Sequence, residues 1–137
     1  MDAVTADVLA ILPLAIPLVT AAVSLLLARN PVAQRATVSV GQLALLAAAF
    51  TLVKEVDAHG MLISRLGGWS APYGIVVVAD RFGAGMVLAG ALLSSAVVFT
   101  GLGRERADRV QAHQWPLVHM LLMGVNGAFL TGDLFNM

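Results

Sequence analysis

Gly124-Val125-Asn126-Gly127-Ala128-Phe129-Leu130-Thr131-Gly132-Asp133-Leu134-Phe135-Asn136-Met137 carries the most structural information in this chain. It begins inside an apolar run of helical character. It then passes through Thr131-Gly132-Asp133, a helix stop followed by a helix start. Leu134-Phe135 opens a further apolar segment. A membrane protein usually closes with a polar tail, so the expectation is a piece of a longer protein whose chemistry these residues do not complete alone.

Composition sets the broad class. Hydrophobic residues make up 59% of the 137, charged residues 12%, and the mean hydropathy is +0.88. Soluble domains carry about a quarter charged residues. Eight basic residues balance eight acidic ones. That balance argues against nucleic acid as a partner, since a phosphate backbone needs a net basic face. There is no cysteine, which excludes disulfides and thiolate chemistry.

Four apolar segments lie outward from the opening stretch: 8–28, 36–53, 82–103 and 115–132. About 20 apolar residues in a helix cross a bilayer core, so the expected fold is an all-α integral membrane protein with four transmembrane helices. The first segment is not read as a signal peptide. Asp2 and Asp7 precede it and Arg29 follows it, the reverse of the basic start that such a leader needs. Arg29 and Arg35 follow the first span; Lys54, Arg65 and Arg81 follow the second; Arg104, Arg106 and Arg109 follow the third. The positive-inside rule then favours a cell-membrane, multi-pass topology with the N-terminus outside and the 29–35 and 104–114 loops cytoplasmic.

The outer loop 54–80 is too long for a turn. Gly67-Gly68 and Ala71-Pro72-Tyr73-Gly74 are turn signals, and Ile75-Val76-Val77-Val78 is a β-branched run. These predict a small β-hairpin between the second and third helices. The alternative is ordered coil on the membrane surface, anchored by Trp69 and Tyr73. Asp80 stands where it would cap the third helix.

Within the spans, Pro13 and Pro17 each remove a backbone donor, so their face is expected to pack on protein rather than lipid. Gly83, Gly85, Ala89, Gly90 and Ala91 predict a close helix contact. Ser94 and Ser95 either hydrogen-bond to neighbours or belong to a polar path. His119, Asn126 and Asp133 recur every seven residues and so share one helix face. If helical throughout, that stripe runs about 21 Å. One reading is a hydrated wall along which ions move. The other is three local events: an interfacial His119, an Asn126 bonded across to another helix, and an Asp133 capping the next helix. Replacing Asn126 by leucine separates them, because only a conducting wall loses transport.

Enzyme signals are absent from the sequence. No paired-carboxylate site, phosphate loop or HExxH motif occurs, and His59, His113 and His119 are too scattered for a metal site. No catalytic residue, metal or cofactor is expected. Arg104-Glu105-Arg106 with Asp108-Arg109 reads as a solvated inner turn.

Leu66-Gly67-Gly68-Trp69-Ser70-Ala71-Pro72-Tyr73-Gly74-Ile75-Val76-Val77-Val78-Ala79-Asp80-Arg81 resembles a signature of the D subunit of the Mrp-type (multisubunit) monovalent cation/proton antiporters. So does Leu122 to Asn136, and Leu12-Pro13-Leu14-Ala15-Ile16-Pro17-Leu18 is similar too. The resemblance implies the N-terminal part of an antiporter-like fold of about fourteen helices with two inverted repeats. It implies exchange of protons for Na⁺, with K⁺ as the second candidate, inside a hetero-oligomeric complex in the lipid bilayer. The family's proton-relay glutamate and lysines have no counterpart among these residues, and the expected spans hold no Lys or Glu. Two alternatives stay open. One is a proton-pumping antiporter-like subunit of a redox-driven complex, such as a quinone oxidoreductase or membrane-bound hydrogenase. The other is a structural module that moves nothing itself.

Overall fold

The computed structural model describes residues 3–65, 76–103 and 109–132. Asp133, the turn signals at 67–68 and 71–74, the anchors Trp69 and Tyr73, and the inner turn 104–108 lie outside the described residues. The elements run α1 (Ala3–Leu26), α2 (Pro31–His59), β1 (Leu62–Arg65), β2 (Val76–Ala79), α3 (Arg81–Leu102) and α4 (Arg109–Leu130). The helices form an antiparallel bundle. α1 packs on α2 and α4, and α3 packs on the same two from the far side.

Local chemistry sets the boundaries. Asn30 accepts a hydrogen bond from the Ala33 amide at 3.2 Å, with Pro31 just inside the helix, so α2 starts there. α2 continues past its apolar run through Lys54-Glu55-Val56, residues that keep helix on the flank as Val56 is buried. It stops at Gly60, whose φ of 83° is a left-handed value that glycine adopts without strain. Asp80 caps α3, accepting from the Gly83 amide at 2.6 Å. Replacing Asp80 by alanine should cost about 1 kcal/mol. Hydrogen exchange at the first turn of α3 would rise, and unchanged exchange at Gly83 would contradict the cap.

The hairpin sits across one end of the bundle. β1 and β2 pair antiparallel, from Leu62 opposite Ala79 to Arg65 opposite Val76. The helix stop in the C-terminal stretch falls as its sequence predicts, since α4 ends at Leu130. The contact made just beyond that stop is not legible in the sequence. Thr131 bridges to Val77, and the Gly132 amide donates to the Val76 carbonyl at 2.9 Å. The second edge of β2 is therefore covered, which removes unpaired backbone from an apolar setting. A side chain at Gly132 would run into Val78.

Three helices, Asp7–Leu26, Pro31–His59 and Arg81–Leu102, are long and apolar enough to cross a membrane. Only about a third of the most apolar stretch of each is buried. Leu18, Val19, Val40, Leu43, Leu92, Leu93, Leu117 and Leu121 all face outward. Water would penalise so much contiguous apolar surface; lipid does not. α4 is as long as α3, at 22 residues, but His113, Gln114, His119 and Asn126 make it less apolar.

Candidate functional site: neutral polar groups inside the bundle

Lipid inverts the usual placement of polar groups. A bare donor or acceptor is costly in hydrocarbon, so intramembrane polar residues turn inward and find partners. On α4 one stripe turns inward. Trp115, His119, Leu122, Asn126 and Leu130 are all buried, at helical spacing, and point into the bundle.

Asn126 is 1% exposed, and its Nδ2 donates to the Pro13 carbonyl at 2.9 Å. The reason lies four residues along α1. Pro17 has no N–H, so the Pro13 carbonyl has lost its normal helical donor. Asn126 supplies the missing hydrogen from α4. The prolines themselves are fully buried, as expected for a face that packs on protein.

Ser94 and Ser95 meet a residue that the sequence pattern does not single out. Gln42 Nε2 donates to Ser94 Oγ at 2.8 Å, Ser95 Oγ at 3.0 Å and the Ala91 carbonyl at 3.1 Å. Both serine hydroxyls in turn donate to the Ala91 carbonyl. Gln42 is fully buried between α2 and α3. A glutamine in an uncharged apolar run is the available signal, since an amide there demands an inward partner.

His119 is fully buried within the bundle. Its Nδ1 lies 3.0 Å from the Trp115 carbonyl one turn earlier. His119 and Asn126 thus share a face, as their spacing requires, but take separate partners. Elsewhere, Gln34 Nε2 donates to the Ser24 carbonyl at 2.8 Å, tying α2 to the end of α1. Outside the bundle axis, a groove of about 640 Å³ between α1 and α2 is lined by apolar side chains with Thr20 and Thr37, and offers an ion no charged group. The groups gathered inside are neutral amides, hydroxyls and one imidazole. Among the described residues no cluster of His, Asp or Glu could hold a metal ion.

Close packing accompanies the polar contacts. A side-chain carbon at Gly41 would overlap Thr20 of α1, and one at Gly83 would stand 2.7 Å from the Phe129 carbonyl. The expected small-residue contact of α3 is therefore made at Gly83 against α4, while Gly85 faces open space. Exposed ion pairs stand at the hairpin end, Arg81 with Asp57 at 3.4 Å and His59 with Glu55 at 3.0 Å. Such pairs contribute little.

Long apolar helices with exposed apolar faces and neutral polar groups turned inward define a multi-pass membrane protein. No family model matches the chain. Curated relatives do. The chain is 36% identical over 129 residues to the D subunit of the Na(+)/H(+) antiporter of Alkalihalophilus pseudofirmus, and 37% identical over 127 to that of Bacillus subtilis. These alignments cover 94% and 93% of the chain but 26% of each relative. The D subunit of a probable K(+)/H(+) antiporter of Rhizobium meliloti is 33% identical, covering 96% of the chain and 25% of that protein. Among solved structures, the Mrp complex of Dietzia sp. DQ12-45-1b matches with a TM-score of 0.79 at 29% identity, over 94% of this chain and 24% of that one. The membrane-bound sulfane sulfur reductase, an archaeal respiratory membrane complex, matches with a TM-score of 0.85 at 26% identity, over 95% and 27%. The chain belongs to the D-subunit family of Mrp-type antiporters. It spans about a quarter of the length of the curated relatives it matches.

Proposed function

We propose that this chain is the leading membrane portion of an antiporter subunit that exchanges protons for Na⁺ or K⁺ within a multisubunit complex. The observation that carries this is the likeness to antiporter D subunits over nearly the whole chain. In this reading α4 is the fourth crossing, the N-terminus faces out, and the stretches 29–35 and 104–114 face the cytoplasm. The four helices act as a scaffold beside the conducting part. Their interior holds neutral groups that hydrogen-bond to one another and to backbone carbonyls, which suits tight packing more than charge transfer.

The test is reconstitution in vesicles loaded with a pH-sensitive dye. An imposed Na⁺ gradient should move protons when the chain is supplied with the rest of its subunit and complex. The 137-residue chain alone should move none. Proton flux from the chain alone would overturn the scaffold reading.

The likeness to the sulfane sulfur reductase complex favours a second reading, a proton-pumping subunit driven by redox chemistry. Antiport by the whole assembly with no electron donor present supports the first reading. Flux that requires an electron donor supports the second.

A further inference from the structure

Two fully buried side chains each carry a polar atom with no hydrogen-bond partner: His119 at Nε2 and Gln42 at Oε1. Each sits one helical turn from a shared apolar layer. Val38, Val98 and Trp115 pack together as one apolar layer. One helical turn toward the hairpin from each of these lie Gln42 on α2, Ser94 on α3 and His119 on α4. α2 and α4 run toward the hairpin and α3 runs away from it, so all three steps are taken toward the hairpin. The next turn returns to apolar packing, with Leu45, Ala91 and Leu122 in a single cluster. A polar layer is therefore enclosed between two apolar ones.

Both free atoms are acceptors. The partner of His119 Nδ1 is a carbonyl oxygen, which can only accept, so Nδ1 carries the proton and Nε2 of the neutral ring is bare. Gln42 directs its amide hydrogens at Ser94, Ser95 and the Ala91 carbonyl, which leaves Oε1 bare. The Ala91 carbonyl can only accept, so it is the amide nitrogen that faces it. Neither side chain is exposed, so bulk solvent does not reach them.

We propose that this layer is a binding site for an internal water molecule that donates one hydrogen to His119 Nε2 and the other to Gln42 Oε1. Two unpartnered acceptors beside one apolar layer match the two hydrogens of water, and buried waters serve such groups. A bare cation fits poorly, because among the described residues the layer offers no carboxylate to offset its charge. The apolar layers on both sides make the site an enclosed pocket rather than part of a continuous wire. It fixes the histidine tautomer and locks α2, α3 and α4 at one level. The site is the same whichever ion the whole complex moves.

The test uses the intact complex in a cryo-EM map fine enough to show ordered water. A peak about 2.7–3.2 Å from both atoms is expected, and it should be the same in Na⁺ and in choline buffer. Direct bonding of either atom to a protein group, an empty layer where other buried waters are seen, or a peak present only in Na⁺ would each overturn the proposal. A double-mutant cycle on the same complex gives a second readout. His119→Phe and Gln42→Leu should each lower Tm, and the pair should lose less than the sum, because each single change strands the other acceptor. Strictly additive losses would sink the shared water.

Discussion

Replacing Gly41 by alanine should destabilise the bundle by about 1–3 kcal/mol, at the upper end of what one added methyl does in a packed interior. The reason is local and geometric. α1 and α2 cross where Thr20 lies on Gly41, and the new carbon would overlap three atoms of the threonine side chain. Thr20 cannot swing away freely, because its hydroxyl is held by the Ile16 carbonyl at 2.7 Å and the residue is buried. In lipid, burying apolar surface between helices gives little driving force, so close packing is what holds them together. A forced separation of α1 from α2 therefore removes much of what joins them. Thermal unfolding in detergent reads the loss. Thr20→Ala in the same chain should restore most of it, by removing the hydroxyl and methyl that clash. Failure of that rescue would show that the two helices do not cross at this pair.

Replacing Asn126 by leucine is the second large effect, expected to cost about 1–3 kcal/mol through the buried carbonyl it leaves bare. The carbonyl is that of Pro13, which lacks a helical donor because residue 17 is proline. The rescue is specific: Pro17→Ala in the Asn126→Leu chain returns an N–H to the Pro13 carbonyl and should recover much of the loss. Pro17→Ala alone should help little, since the carbonyl is already served. Thermal stability of the four variants measures the coupling. If Pro17→Ala recovers no more in the Asn126→Leu chain than in the parent, the Asn126–Pro13 bond is not the cause. In a complex that transports, the same Asn126→Leu change should lower stability while leaving the ion-exchange rate of the surviving assembly unchanged.

Both pairs show how far local pattern reaches. That Asn126 needs a partner on another helix is legible, because an amide deep in an apolar span is costly alone. That the partner is Pro13, 113 positions earlier, is not. Proline at 17 announces an orphaned carbonyl, but nothing local says which helix answers it. Gly41 carries no signal in an alanine-rich run, and Gln42 beside it gains its meaning only from Ser94 and Ser95 packed on it. β1 escapes for another reason. Leu62-Ile63-Ser64-Arg65 is only four residues long, and its strand character depends on β2 opposite. His119 reads as interfacial from its place near the start of a span; that neighbours cover it on every side is decided only by packing.

Elements and their ends are written locally in this chain. Apolar runs, Asp80 and the Thr131-Gly132 stop act through the backbone within a turn or two, so they can be read where they stand. Membrane character is equally plain, because so little charge on so much apolar surface has no stable home in water. Which polar group answers which became fixed only when the helices packed. Packing put Asn126 on Pro13, Gln42 on the two serines, and Thr131-Gly132 on the free edge of β2. Those pairings join segments far apart in the chain, and in lipid they are settled by which surfaces fit closely enough for the polar groups to meet.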